Sequence, residues 1–452
     1  MGEVSLKKRI WGWYFFDWAS QPYHTVLNTF TFGPFFGSIA VAYFISLGLD
    51  DAAADARAQS LWAWTLGFIG VFIAIFAPIF GAMADSSGRR MPWIVGFSVL
   101  YVLGAFGLWF TDPGASNLYL MLIVFGIGFI GAEWALIFVN AQLPGLGTAE
   151  EVGSISGNAF AFGYLGGVVC LGIALLLFIE QDSGKTLIGL DPVLGLDASA
   201  REGTRAVGPL VAVWFAVFMV PYFLWVRETR TTARATGVGA ALGSVWGTVQ
   251  SLRHKRSLLN FLLGSMLFRD GLNGLYMFGG FYAGLMLDWS ITQIGVFGVI
   301  AALGAAVISY LGGMVDRRVG PKPVVVGAIW VLIGVSLTVI NITPTAIYGI
   351  AVPEGSSLPD TLFMVCGVLI GGMGGALQSS SRCLMCRHAD EATSTEYFGL
   401  YGLSGRATAF LAPLLIGAAT TASGSVQIGV SPIILLLVAG LVLLRWVNKD
   451  GE

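Results

Sequence analysis

The chain reads as a succession of long apolar stretches parted by short polar ones. Runs of roughly 20 apolar residues, the length a helix needs to cross the hydrocarbon core of a bilayer, cover approximately 10–45, 61–83, 92–111, 117–141, 154–180, 206–226, 257–287, 291–314, 322–342, 361–387, 395–422 and 428–447. Lipid offers backbone groups no water, so these runs predict helices, whose hydrogen bonds are internal. The expected fold is all-α, a polytopic membrane protein with twelve transmembrane helices and no soluble domain between them.

Composition agrees. Hydrophobic residues make up 56% and charged residues 11%, with a mean hydropathy of +0.79, far from the quarter charged residues of an ordinary soluble chain. Lys and Arg favour cytoplasmic loops. Most of the 24 fall on one side of the map, which places both termini in the cytoplasm. With the net charge of −2, topology alone accounts for the basic residues. The run RHKR at 253–256 reads as a membrane-edge anchor and no nucleic-acid partner is implied. The apolar stretch after Lys7, Lys8 and Arg9 is too long for a cleavable signal and forms the first span.

The polar segment 229–256 divides six spans from six. In it Val238, Ala241, Leu242, Val245, Trp246, Val249 and Leu252 form one helical stripe, as in a helix lying along the membrane surface. The expected domains are an N-terminal six-helix half (1–228), this linker, and a C-terminal six-helix half (257–452). Internal similarity supports a duplication. GAMADSSGRR (81–90) matches GGMVDRRVGPK (312–322), YFFDWAS matches LFRDGLN (267–273), and SISGNAF (154–160) matches GLSGRAT (402–408). Two pseudo-symmetric six-helix bundles are the plan of major facilitator carriers. In the first pair Gly81 and Gly312 permit close helix approach. Asp85 and Asp316 lie beside Arg89, Arg90 and Arg317, a candidate cytoplasmic gate of charge-assisted bonds.

Intramembrane charge gives the candidate site, because a charge at membrane depth must meet water or a partner. Asp17, Gln21, His24 and Asn28 follow helical spacing and share one face; Pro22 permits a local break there. Glu133, Arg269, Asp270 and Arg406 add charges, with Asn273 and Gln378 as polar neighbours on cavity-lining spans. Arg269 and Arg406 would hold a carboxylate, while Asp17, Glu133 or Asp270 would meet an ammonium group or carry a coupling proton.

Other signals carry less. GIGFIG (126–131) has the dinucleotide-loop spacing but lies inside an apolar span, where small residues serve helix packing. Cys170, Cys366, Cys383 and Cys386 imply neither a disulfide framework nor a metal site. No nucleophile triad, metal-ligand set or phosphate loop emerges, so the expectation is a protein that is not an enzyme and uses no cofactor.

WYFFDWASQPYHTVLNTFTFGPFF (13–36), GAMADSSGRRMPW (81–93), GNAFAFGYLGG (157–167), LFRDGLNGLY (267–276) and TEYFGLYGLSGRATAFLAP (395–413) resemble the vacuole-effluxer-like branch of the major facilitator superfamily, which includes fungal autophagy-related vacuolar permeases and bacterial relatives. The resemblance places Asp17, Trp18, Ala19, Asp85, Gly157, Asp270, Gly271, Ser404 and Gly405 at family motif positions. Phe16, where a Tyr often stands, and Gln21-Pro22 depart from the pattern. It implies a carrier, with neutral and aromatic amino acids as the substrates linked to fungal members. The resulting expectation is proton-coupled efflux of a small zwitterion by a monomer in a bacterial inner membrane. A lipid-like or drug efflux carrier, and a non-transporting assembly or sensor protein on the same scaffold, are the alternatives.

Overall fold

The computed structural model describes residues 4–87, 90–140, 142–147, 149–226, 250, 252, 255–353, 355–388, 401, 404–405 and 408–449. The linker stripe Val238–Val249 and the residues Arg89, Glu396 and Arg406 lie outside them, as do the side chains of Gly81, Asp85 and Arg317.

Among the described residues, twelve helical spans follow one another. They are Leu6–Ser46, Asp51–Ser87, Met91–Phe110, Leu118–Asn140, Ala149–Ile173 continued by Ala174–Phe178, Glu202–Trp225, Arg256–Met286, Ile291–Val319, Pro321–Val339, Leu358–His388, Leu411–Ser423 and Val426–Trp446. Seven described helices are long and apolar enough to cross a membrane by themselves, and three shorter apolar helices stand beside them. Leu103, Ile123, Leu303, Val307 and Leu435 are large and well exposed on these helices. Such a surface needs acyl chains against it.

By contact the chain forms two compact units. Unit 1 comprises Met1–Phe32 and Val71–Gln250; unit 2 comprises Gly33–Gly70 and Ser251–Glu452. In unit 1 the third and fourth spans cross so closely that a side chain at Gly104 would run into the Gly128 backbone. GIGFIG thus builds a helix seam, the use small residues commonly have in membranes. Glu180, 3% exposed, accepts hydrogen bonds from Thr204 N (3.0 Å) and Thr204 Oγ1 (2.7 Å) and pairs with Arg201 Nε at 3.2 Å. A buried carboxylate at the start of the sixth span satisfies donors that the helix cannot.

In unit 2 residues 33–70 pack onto the seventh and eleventh spans. Trp62 lies between Phe36 (5.4 Å) and Phe281 (6.0 Å, planes 5° apart). Gln59 Nε2 donates to Thr420 Oγ1 (2.8 Å) and to the carbonyl of Val426 (3.1 Å), and Ser60 shares a 2.6 Å hydrogen bond with Thr421. Gln59, Ser60 and Thr420 are buried, where a satisfied hydrogen bond is hard to exchange for water.

Candidate functional site

In unit 1 the site is built on a break in the first span. Leu6–Pro22 is α-helical, Tyr23–Thr31 is a π-helix, and α-helix resumes at Phe32. Pro22 begins the change, since it offers no N–H to the preceding turn. The wider turn shifts the hydrogen bonds from i+4 to i+5, and Thr29 Oγ1 donates to the His24 carbonyl at 2.9 Å. A π-helical stretch inside an α-helix is rare and concentrates at functional sites.

The break alters the face expected from α-helical spacing. Asp17, Gln21 and His24 are half-buried, whereas Asn28, within the π stretch, is 3% exposed. Asn28 Oδ1 and Thr31 Oγ1 are buried with no hydrogen-bond partner among the described residues. His24 Nε2 stands 3.6 Å from Glu133 Oε1 of the fourth span, with 26% and 22% of the two side chains exposed. The edge of Phe129 meets the His24 ring, centroids 5.6 Å apart. Tyr23 fixes the break to the fourth span by donating to the Phe125 carbonyl at 2.8 Å. One turn before Pro22, Asp17 lies against the fifth span: a side chain at Gly163 would come within 3.1 Å of the Asp17 Cβ and carbonyl oxygen.

In unit 2 the broken element is the eleventh span. Ser404 and Gly405 are helical, Thr408–Phe410 form a turn, and helix restarts at Leu411. Asp270 of the seventh span, 1% exposed, accepts a 2.8 Å hydrogen bond from Ala412 N at that restart through Oδ2. Its Oδ1 is buried with no partner among the described residues. A helix start carries unpaired N–H groups and a partial positive charge, so the carboxylate fits there. Arg269 lies over the Tyr401 ring, 4.6 Å from its centroid, and Nη1 donates to the Tyr401 carbonyl at 3.1 Å. Its guanidinium occupies the space a side chain at Gly405 would need. Asn273 and Gln378 are half-buried on the seventh and tenth spans.

The gate residues are less fully placed. Gly81 and Asp85 lie in the second helix, and Arg90 is half-buried at the start of the third span. Gly312 lies against Ala376 of the tenth span, and Asp316 is half-buried near the end of the eighth. Among the described residues no group of His, Cys, Asp and Glu could hold a metal ion.

Sequence reasoning passed over Glu180, Tyr401 and the buried Gln59, Ser60 and Thr420 with their exposed neighbour Thr421. The adjacent polar pairs Gln59-Ser60 and Thr420-Thr421, each at the edge of an apolar run, were the available signal.

Two broken spans, each with a motif aspartate packed on its pair helix, match a duplicated carrier. Residues 54–451 match the family described as vacuole effluxer Atg22 like. The chain belongs to this family. It is 21% identical over 442 residues to the MFS-type transporter YxiO of Bacillus subtilis (strain 168), covering 97% of this chain and 94% of that one. Autophagy-related protein 22-1 of Aspergillus clavatus is 24% identical over 314 residues, 66% of this chain and 49% of the fungal protein. The chain thus aligns with about half the length of that fungal relative. Among solved structures, the xylose transporter XylE from E. coli in an inward open conformation aligns with a TM-score of 0.62 and 13% identity, over 98% of this chain and 96% of that one. A bacterial homologue of the human lysosomal transporter Spinster, inward-facing, aligns with a TM-score of 0.61 and 16% identity, over 99% and 98%. The fold is that of the major facilitator superfamily, and this Atg22-like chain is an integral membrane transporter of that type rather than an enzyme.

Proposed function

We propose that this Atg22-like carrier moves a small zwitterion, with neutral amino acids the first candidates, and couples the movement to protons. The observation that carries the reading is the half-open His24–Glu133 pair at the break of the first span. An imidazole facing a carboxylate can gain or lose a proton without leaving a bare charge, because each partner compensates the other. Asn28 Oδ1 is a ready acceptor for a substrate N–H beside it. In unit 2 Arg269 offers further donors to a substrate carboxylate, and Asp270 a second protonatable oxygen.

In this reading transport proceeds by alternating access, with 1–228 and 257–452 as its two halves. The bonds of Gln59 and Ser60 to the eleventh span break on opening one side. On the other side, the motifs carrying Asp85, Arg89 and Arg90 and carrying Asp316 and Arg317 are the sequence's gate candidates. Basic-residue placement puts both termini in the cytoplasm, and the protein acts as a monomer in a bacterial plasma membrane. Uptake of radiolabelled L-leucine and L-tyrosine into proteoliposomes under an imposed pH gradient is the test. Accumulation that collapses with a protonophore and in Glu133→Gln supports the reading. Gradient-independent flux in both overturns the coupling.

A further inference from the structure

Beside the helix restart, unit 2 contains an array that the carrier reading does not use. His388, at the end of the tenth span, is 6% exposed. Its Nδ1 is 2.9 Å from the Leu384 carbonyl, and its Nε2 is 2.7 Å from Ser257 Oγ at the start of the seventh span. A carbonyl only accepts, so Nδ1 bears hydrogen. Asn448 N donates to Ser257 Oγ at 2.8 Å, which leaves the Ser257 hydroxyl proton for Nε2. The C-terminal strand is gripped on both sides of that bond: Lys322 Nζ donates to the Val447 carbonyl (2.6 Å) and Arg387 Nη1 to the Lys449 carbonyl (3.1 Å). The seventh and tenth spans therefore meet at one imidazole, and Asn448 is joined to it through Ser257.

The imidazole also begins a stack. Phe261, fully buried, lies parallel to both the His388 ring (5.6 Å, 7°) and the Tyr401 ring (5.8 Å, 6°). Beyond Tyr401 comes the Arg269 guanidinium, at 4.6 Å. The Tyr401 hydroxyl is hydrogen-bonded to Ser381 of the tenth span, which fixes the ring in its plane. Packed aromatic rings of this kind have few alternative arrangements.

We propose that His388 is a positioning residue: through Phe261 and Tyr401 it holds the Arg269 guanidinium in place and ties that placement to the gripped C-terminal strand. The consequence for transport rests on the reading of Arg269 as a substrate group. The mechanical link does not.

The test uses the full chain in lipid nanodiscs and two readouts that need no substrate. Phenylglyoxal modification of Arg269 is followed by mass spectrometry against exposed Arg57, and tryptic cleavage after Lys449 reports release of the strand. His388→Ala should speed modification of Arg269 relative to Arg57 by about fivefold, the factor equivalent to one lost cation–π contact, and should speed cleavage. His388→Gln, which keeps one donor and one acceptor, should stay within about twofold of the parent on both readouts. Phe261→Leu should free Arg269 and leave the strand protected, because it cuts the stack beyond the grip. An unchanged Arg269:Arg57 ratio in His388→Ala, or equal failure of the Ala and Gln variants, overturns the proposal. Protection of Arg269 by added L-leucine is scored separately. Its absence with the stack behaving as stated would overturn the substrate reading and leave the positioning role standing.

Discussion

Asp17 and Asp270 occupy matching motifs in the two halves, and the structure gives them different neighbours. Asp17 is half-buried against the α-helical part of the fifth span, Ala149–Ile173, where Gly163 admits it. Asp270 is sealed at 1% exposure against the restart of a broken eleventh helix, one oxygen on Ala412 N and the other unpartnered. In unit 1 the break has moved into the aspartate's own span, as the π-helix after Pro22. Each motif aspartate thus meets its pair helix, and the break nearest to it lies in its own span in unit 1 and in the pair helix in unit 2. The groups expected to act lie near the breaks, at His24, Asn28 and Glu133 in one unit and at Arg269 and Asp270 in the other.

Removing each carboxylate gives the largest expected contrast. Asp270→Ala leaves the Ala412 N–H without its acceptor in a buried site and should destabilise by about 2 kcal/mol or more. Asp270→Asn keeps an acceptor oxygen and should fold nearly as well as the parent. Asp17→Ala, half-buried, should cost clearly less than Asp270→Ala. Thermal unfolding of the three variants in one detergent checks the order, and equal losses at the two aspartates would remove the asymmetry.

The glycines sharpen the same comparison. Gly163→Ala meets Asp17 backbone, which can yield only by separating two helices, so a loss of about 1–3 kcal/mol is expected. Gly405→Ala meets the flexible end of Arg269. It should spare stability and instead raise the KM for transport. A stability loss at Gly405 as large as at Gly163 would contradict this division.

Asn28 provides a smaller effect of opposite sign. Replacing a buried amide whose oxygen lacks a partner by Leu should raise stability by about 1 kcal/mol while transport falls. A lower melting temperature for Asn28→Leu would mean that the amide is structural.

The smallest effect lies at the polar start of the second helix, ahead of its apolar run 61–83. Burial, with the nearby charges of Asp288 and Asp51, pushes the Asp55 carboxyl up from 3.8 to about 6. The folded state then holds a proton that the unfolded state has released, so stability falls as pH rises from about 4 to about 6 and is flat above. Asp55 is substantially solvated, and screening leaves no more than about 1 kcal/mol. Asp55→Asn should therefore gain melting temperature over the parent at pH 7.5 and gain less at pH 4.5. An equal gain at both would exclude the titration.

The twelve helices were legible because bilayer thickness writes its length directly into apolar runs, and the motif repeats marked where the halves correspond. The partners of the motif aspartates were not legible. Helical spacing placed Asp17, Gln21, His24 and Asn28 on one face, but spacing presumes a regular helix, and the π turn after Pro22 buried Asn28. Sequence also offered Asp270 as a free interior charge. Its bond to Ala412 exists because the eleventh helix restarts at Leu411, a backbone event that TAFLAP does not announce. Arg269 was expected beside charge and is found stacked on Tyr401, since guanidinium and ring match in shape and charge.

The carrier reading turns on protons and substrate meeting at these interior charges. In proteoliposomes loaded with radiolabelled L-leucine, an imposed pH gradient should drive net movement through the parent protein. Asp270→Asn and Glu133→Gln should retain leucine exchange at zero gradient and lose the gradient-driven component. Gradient-driven movement undiminished in both variants would contradict the account.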